Sequence, residues 1–273
     1  MKNLSSLLFA LVLWAPTALT HADTLTFGVV PQQSAKTLAA KWGPIFAHLS
    51  KVSGHTITFA TAKDIPTFEN RLTKGEYDFA YMNPYHYTVF SQKPGYISFA
   101  KQKDKFIQGI IVAHRNSSIQ QLSDLKGANL AFPSPAAFAA SVLPRAQLEL
   151  DKIPFTPHYV SSHDSVYLSV SKGFFVAGGG VYRTFNNTNE SVNRELKVLW
   201  ETPKYTPHAF AAHPSVKKEV VQDVLDALLT MNSSEEGKAL FKSINFKGIE
   251  PASNSDWDDI RALEITLLDH LLE

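Results

Sequence analysis

Short apolar strands alternate with helices through the first two thirds of the chain, and that alternation admits few architectures beyond layered α/β units with mostly parallel sheets. Leu25, Phe27 and Val29 alternate in a strand ending near Val30. Leu38, Trp42, Ile45, Phe46 and Leu49 then recur at helical spacing up to Gly54. Ile57 and Phe59 mark a second strand, and Asp64 caps a helix through Leu72. Tyr77 to Met82 is a third strand, running into Asn83-Pro84, a cap residue with proline at the first helical position. Further strands are expected at Ile107–Ala113, Asn129–Phe132, Tyr159-Val160, Phe174–Ala177 and Leu196–Trp200. Ser118 caps a helix to Leu125, Ser134-Pro135 opens a long helix to Leu150, and another runs from Asp164 to Lys172. Gly178-Gly179-Gly180 reads as a turn leaving the 174–177 strand. Helices at 215–231, 234–242 and 256–271 finish the chain.

The N-terminus has the layout of a secretory signal peptide. Lys2 supplies the positive end, Leu7 to Trp14 a short apolar core, and Thr20-His21-Ala22 a small-residue cleavage site. The core falls short of the roughly 20 apolar residues that span a membrane. Cleavage after Ala22 removes Lys2 and no acid, leaving 25 basic and 25 acidic residues. An exported, near-neutral chain offers no field to attract nucleic acid or anionic lipid. There is no cysteine, which excludes disulfides, thiolate metal sites and a cysteine nucleophile. About 250 mature residues can still bury an adequate core, and a bacterial periplasm fits best.

Two stretches can carry the chain between lobes: Lys101–Lys105 leading into Phe106–Gln108, and Pro203–Pro207 ahead of His208. The expected division is a signal peptide at 1–22, a discontinuous first lobe of 23–107 with 208–273, and a second lobe of 108–207.

In open α/β folds ligands bind beyond the carboxyl ends of strands, where helix N-termini present free N–H groups. Four strand-to-helix turns qualify: Pro31–Ser34, Met82–Tyr85, Phe132–Ala136 and Gly178–Arg183. They nominate Gln32, Tyr81, Asn83, Tyr85, Ser134, Ala136, Gly179 and Arg183 as ligand-binding residues. Tyr81 and Tyr85 flank the cap residue, the glycines allow close backbone approach, and Arg183 can pair with an oxyanion. None of the turns at 31–34, 81–87 or 132–138 holds Asp or Glu, so the site favours an anion.

Ser162-His163-Asp164-Ser165 invites a hydrolase reading, but a triad is assembled in space, and no G-x-S-x-G elbow accompanies it. Ser162 or Asp164 is instead expected to cap its own helix, with His163 facing the cleft as a donor. Ten histidines show no H-E-x-x-H spacing, and no nucleotide-binding motif is present. No catalytic residue, metal or cofactor is expected.

The segments 28–54 (GVVPQQSAKTLAAKWGPIFAHLSKVSG), 75–90 (GEYDFAYMNPYHYTVF), 125–149 and 163–180 (HDSVYLSVSKGFFVAGGG) resemble the phosphate/phosphite/phosphonate-type substrate-binding proteins of ABC transporters. The resemblance implies a type II periplasmic binding fold, with two α/β lobes, two crossover strands and a cleft that closes on ligand. It also implies a monomer that performs no chemistry and delivers a small anionic ligand to an inner-membrane permease. Presenting that ligand to a receptor kinase would need the same closing cleft. Two departures bear on the ligand. The family's oxyanion turn is rich in Ser/Thr and Gly, whereas Phe132–Phe138 reads FPSPAAF. The acid that recognises an amino group in family members has no counterpart in Phe174–Ala177. The implied ligand is a phosphonate, phosphite or phosphate, with another small anion as the alternative.

Overall fold

The computed structural model describes residues 24–273, so the signal-peptide reading of residues 1–22 lies outside the described residues. The first elements are β1 (Thr24–Val29), α1 (Ala35–Ser53), β2 (Thr56–Ala60), α2 (Ile65–Thr73), β3 (Phe79–Met82), α3 (Pro84–Phe90) and β4 (Ile97–Gln102). A middle group follows: β5 (Gly109–His114), β6 (Ala128–Phe132), α4 (Leu143–Leu150), β7 (Phe155–Tyr159), α5 (His163–Ser171), β8 (Ala177–Val181), α6 (Tyr182–Asn186), α7 (Glu190–Asn193) and β9 (Leu196–Glu201). The chain closes with β10 (Ala209–Ala212), α8 (Lys218–Met231), α9 (Glu235–Ser243), β11 (Ile249–Pro251) and α10 (Asp258–Arg261). No helix among the described residues is long and apolar enough to cross a membrane.

The strands form two sheets, in the orders β11-β4-β10-β3-β1-β2 and β7-β6-β8-β5-β9. Parallel pairs join β1 to β2 and β3, and β6 to β7 and β8. Both sheets also contain a reversed strand: β10 runs antiparallel to β3 and β4, and β5 to β8 and β9. Strand β11 is also reversed, antiparallel to β4, and β5 and β10 are the first strands after each passage between sheets. There, Ile107 and Tyr205 exchange backbone hydrogen bonds of 2.8 and 3.0 Å as an antiparallel bridge.

The core of the first sheet is aromatic. Helix α1 buries Leu38, Trp42, Ile45, Phe46 and Leu49, the same residues its periodicity marks, and Phe46 stacks on Phe27 at 4.6 Å. In the second sheet β5 feeds two cores by simple alternation. Ile110 and Val112 pack with Val166, Tyr167 and Val170 of α5, while Ile111 and Ala113 face Leu148 of α4.

Several sequence expectations are corrected. The triple glycine is not a turn but the body of β8. A Cβ at Gly178 would meet Val166, one at Gly180 would strike Tyr167, and one at Gly179 would overlap the Ala140 carbonyl. The glycines thus admit helices against both faces of a central strand. Ser134-Pro135 does not start a helix; a π-helical turn, Phe138–Val142, begins three residues later and continues into α4. The helix expected to Leu125 is only a short 3-10 turn, Leu122–Leu125. The expected 256–271 helix is broken, because Glu264 adopts φ 49° and the β-branched Ile265-Thr266 pair follows. Strands β4, β10 and β11 had no counterpart in the sequence reading, and the strand expected at Phe174–Ala177 begins only at Ala177.

Gly109 and Gly179 both lie beneath the Phe138–Val142 turn, where a Cβ would overlap the carbonyls of Ala139 and Ala140. We expect Gly109→Ala and Gly179→Ala each to destabilise the protein by about 1–3 kcal/mol through overpacking. Gly43→Ala, inside α1 with open space at its Cβ position, should instead stabilise by about 0.5–1 kcal/mol. Urea unfolding of the three variants checks both signs.

Candidate functional site

Two adjoining cavities lie between the sheets, sharing Ile107, Val181 and His208 in their walls. The inner one, about 10 Å³, is closed on one side by Val30, Gln32, Ile65 and Asn83 and on the other by Ala137–Ala140 and His163. The outer one, about 160 Å³, is walled by Tyr81 and Gln102, by Lys105–Gln108, and by Tyr182, Arg183 and Asn186.

Local structure explains how each side chain arrives there. Asn83 caps α3, its Oδ1 accepting from His86 N–H at 2.8 Å. Its amide NH₂ has no protein partner among the described residues and is free to donate into the cavity it lines. Opposite, the Phe138–Val142 turn opens a helical run that continues through Leu150, and its first N–H groups lack intrahelical acceptors. The Ser134 and Ser141 hydroxyls, on either side of this start, and His208 Nε2 are buried with no protein partner among the described residues. Unpaired buried polar atoms are rare in folded proteins, and of these three residues His208 lines both cavities, where a ligand oxygen would satisfy its Nε2.

Contacts run directly across the cleft. The His163 N–H donates to the Gln32 carbonyl at 2.9 Å, and Ser34 N–H to Asp164 at 3.2 Å. Arg183 donates to Gln32 Oε1, and Lys41 to Asn187 Oδ1 at 2.9 Å. Asp164 therefore reaches across the cleft rather than serving its own helix, which Ser162 caps by accepting from Ser165 N–H at 3.1 Å.

The electrostatics are those of a neutral lining with a cationic edge. Burial, then the Arg183 charge, pushes His163 down to about 3, and its Nδ1 lies 3.0 Å from Thr184 Oγ1. Burial, with Arg183 second, also holds His208 well below the ordinary histidine range, and its ring stacks on Tyr81 at 4.9 Å. Burial raises Tyr81, a rise that Arg183, 5.9 Å from the ring centroid, opposes. No Asp or Glu lines either cavity among the described residues.

Of the nominated residues, Gln32, Tyr81, Asn83, His163 and Arg183 come together on these walls. Ser134 is buried beside them without lining either cavity. Ala136 gives way to Ala137–Ala140, because the helix starts later than the prolines suggest. Gly179 is packed under Ala140, away from the cavity. Tyr85 faces the far side of α3, where its hydroxyl accepts from Leu268 N–H at 2.8 Å and burial raises it to about 12. His208 was missed as a binding candidate. Its signal was a polar residue between Pro207 and the apolar β10, at the second passage between sheets.

Two α/β units with paired crossings and a cleft of hydrogen-bond donors define a binding protein of the type II periplasmic fold. The binding-protein component of an ABC phosphonate transporter from Pseudomonas aeruginosa superposes with a TM-score of 0.80 at 16% identity, covering 88% of this chain and 85% of that one. PhnD1 from Prochlorococcus marinus, solved in complex with methylphosphonate, gives 0.79 at 19% identity, covering 88% and 96%. The phosphate-import protein PhnD of Mycolicibacterium smegmatis is 23% identical over 284 residues, spanning 88% of this chain and 84% of that protein. The family profile for the phosphonate periplasmic substrate-binding proteins of ABC transporters matches residues 27–257, and the chain belongs to that family. It is a family of transporter binding components, not of enzymes.

The buried histidines predict an acid-sensitive fold. Unfolded, each binds a proton near pH 6.5, whereas folded His163 does so only near pH 3. Between those values the unfolded chain holds more protons, so stability is full above about pH 6.5 and is lost as pH falls. At pH 5 His163 alone should remove about 2 kcal/mol, and His163→Gln should flatten the slope. Urea unfolding at pH 7.5 and 5.0 measures it; an unchanged slope in the variant would mean that His163 titrates normally when folded.

Proposed function

We propose that this protein captures a small oxyanion, a phosphonate, phosphite or phosphate, between its two units and hands it to an inner-membrane permease. The observation that carries the reading is the inner cavity. It joins a helix start, the Asn83 amide and two neutral histidines beside one guanidinium, with no carboxylate in its lining. Every group there is satisfied by oxygen, and none repels negative charge. Methylphosphonate in PhnD1 of Prochlorococcus marinus and phosphate import by PhnD of Mycolicibacterium smegmatis support the ligand class. We assign the lobes as 23–107 with 208–273 and 108–207, in keeping with the strands each sheet recruits. The proposed exported form is a monomer cleaved after Ala22, which N-terminal sequencing of protein released by osmotic shock would check.

A thermal-shift screen of the 23–273 protein against methylphosphonate, phosphite, phosphate, sulfonates and carboxylates tests the ligand. At 100 times Kd, a true ligand should add about 2.7 kcal/mol of stability. Arg183→Ala should weaken binding more than tenfold, at least ~1.4 kcal/mol, and Arg183→Lys should recover part of it because an ammonium lacks the bidentate fork. Wild-type affinity in Arg183→Ala by titration calorimetry would remove the guanidinium from the site.

A further inference from the structure

We infer that the ligand carries a second acidic group, which extends from the inner cavity into the outer one and is met there by Arg183 and Lys105. The inference rests on the oxyanion reading above and names the rest of the molecule. The inner cavity is small, and apart from its donors its walls are apolar: Val30, Ile65, Val181 and the Ala137–Ala140 segment. In this arrangement it has space for about one water, and it offers hydrogen bonds to a compact head and nothing polar to a longer substituent. The two cavities share Ile107, Val181 and His208, so a substituent on the head has a continuous path outward.

The outer cavity differs in kind. It is larger, about 160 Å³, and its polar lining residues include Arg183, Lys105, Gln102, Gln108 and Asn186. Arg183 stands at the junction, bonding Gln32 of the inner wall while lining the outer one. Its fork holds further donors beyond that bond. Lys105 is exposed in the irregular passage between β4 and β5. Glu201, which accepts from Tyr182 Oη at 2.7 Å, and Asp164, which accepts from Ser34 N–H and Gln33 Nε2, lie outside both linings. Two cations without a lining acid make a compartment for a carboxylate or second phosphoryl group and a poor one for an ammonium.

Three probes of similar length separate the possibilities: phosphonoacetate, its neutral amide phosphonoacetamide, and 2-aminoethylphosphonate. Titration calorimetry of the 23–273 protein should show phosphonoacetate binding at least tenfold tighter than the amide, with the ammonium compound weakest. Lys105→Ala should bring the carboxylate-to-amide ratio below threefold. Lys103→Ala, at an exposed position outside both cavities, should keep the wild-type ratio and so exclude a general charge effect. Equal affinity for all three, or tightest binding of the ammonium compound, would overturn this inference while leaving the oxyanion head in place. A ratio that fell equally in both lysine variants would also overturn it. Failure of all three, together with methylphosphonate and phosphate, would overturn the oxyanion reading and this inference with it.

Discussion

The close approach of the Phe138–Val142 turn to the second sheet fixes where the site can be. That turn carries the start of a helical run, and two strands lie under it without side chains, at Gly109 of β5 and Gly179 of β8. With a Cβ at either position, the carbonyls of Ala139 and Ala140 could not sit where they do, and the whole segment would lift toward the first sheet. The inner cavity is bounded by that same segment, so its size is set by backbone packing rather than by the ligand-facing side chains. Loss of the Cβ atoms at these points gives up conformational restraint in the unfolded chain, a cost near 0.5–1 kcal/mol per glycine in regular structure. The gain is a helix start held rigidly at the edge of a cleft.

The opposite wall is held by quite different means. Asn83 and Ser34 are both helix caps, and capping fixes the chain direction as each strand gives way to its helix. Gln32, one turn of chain earlier than α1, then meets Arg183 with its side chain and His163 with its carbonyl. These bonds cross from one sheet's elements to the other's beside an apolar contact, in which Ala136–Ala140 and Val181 join the buried cluster of the first sheet. Burial of His163 and His208 beside Arg183 keeps both rings neutral, so the guanidinium is not surrounded by other positive groups in the inner lining.

Much of this was legible from residue order, and the failures are physically informative. Helix α1 could be read residue by residue because its five buried positions follow one face, and Asn83-Pro84 is a local signal that needs no tertiary context. Ser134-Pro135 carried the same local signal and misled, because the backbone after it first makes a turn and the helix begins only at Phe138. The glycine run misled in the same way: three glycines usually mark a turn, but here their meaning came from Val166, Tyr167 and Ala140, distant in sequence. Tyr85 sits two residues beyond the cap, about half a helical turn from the cavity side, so adjacency to Asn83 placed it on the wrong face. Asp164 and His208 depend on contacts between units, which no window of sequence can display.

The balance of forces across the cleft follows from these details. Each polar contact between units contributes about 0.5–1.5 kcal/mol net, since water satisfies the same groups when they part. Gln32, Ser34, Asp164, Lys41 and Asn187 together therefore supply a modest preference for the two units in contact, set against the ordering of several long side chains. The atoms left without partners shift that balance. An empty cavity leaves His208 Nε2 buried and unpaired, a cost of about 1–3 kcal/mol. An oxyanion that accepts from such groups removes the cost only when both walls are in place. A ligand stabilises one arrangement over another by its difference in contacts, and here that difference is concentrated in donors that have no other acceptor. Closure and recognition thus depend on the same few atoms.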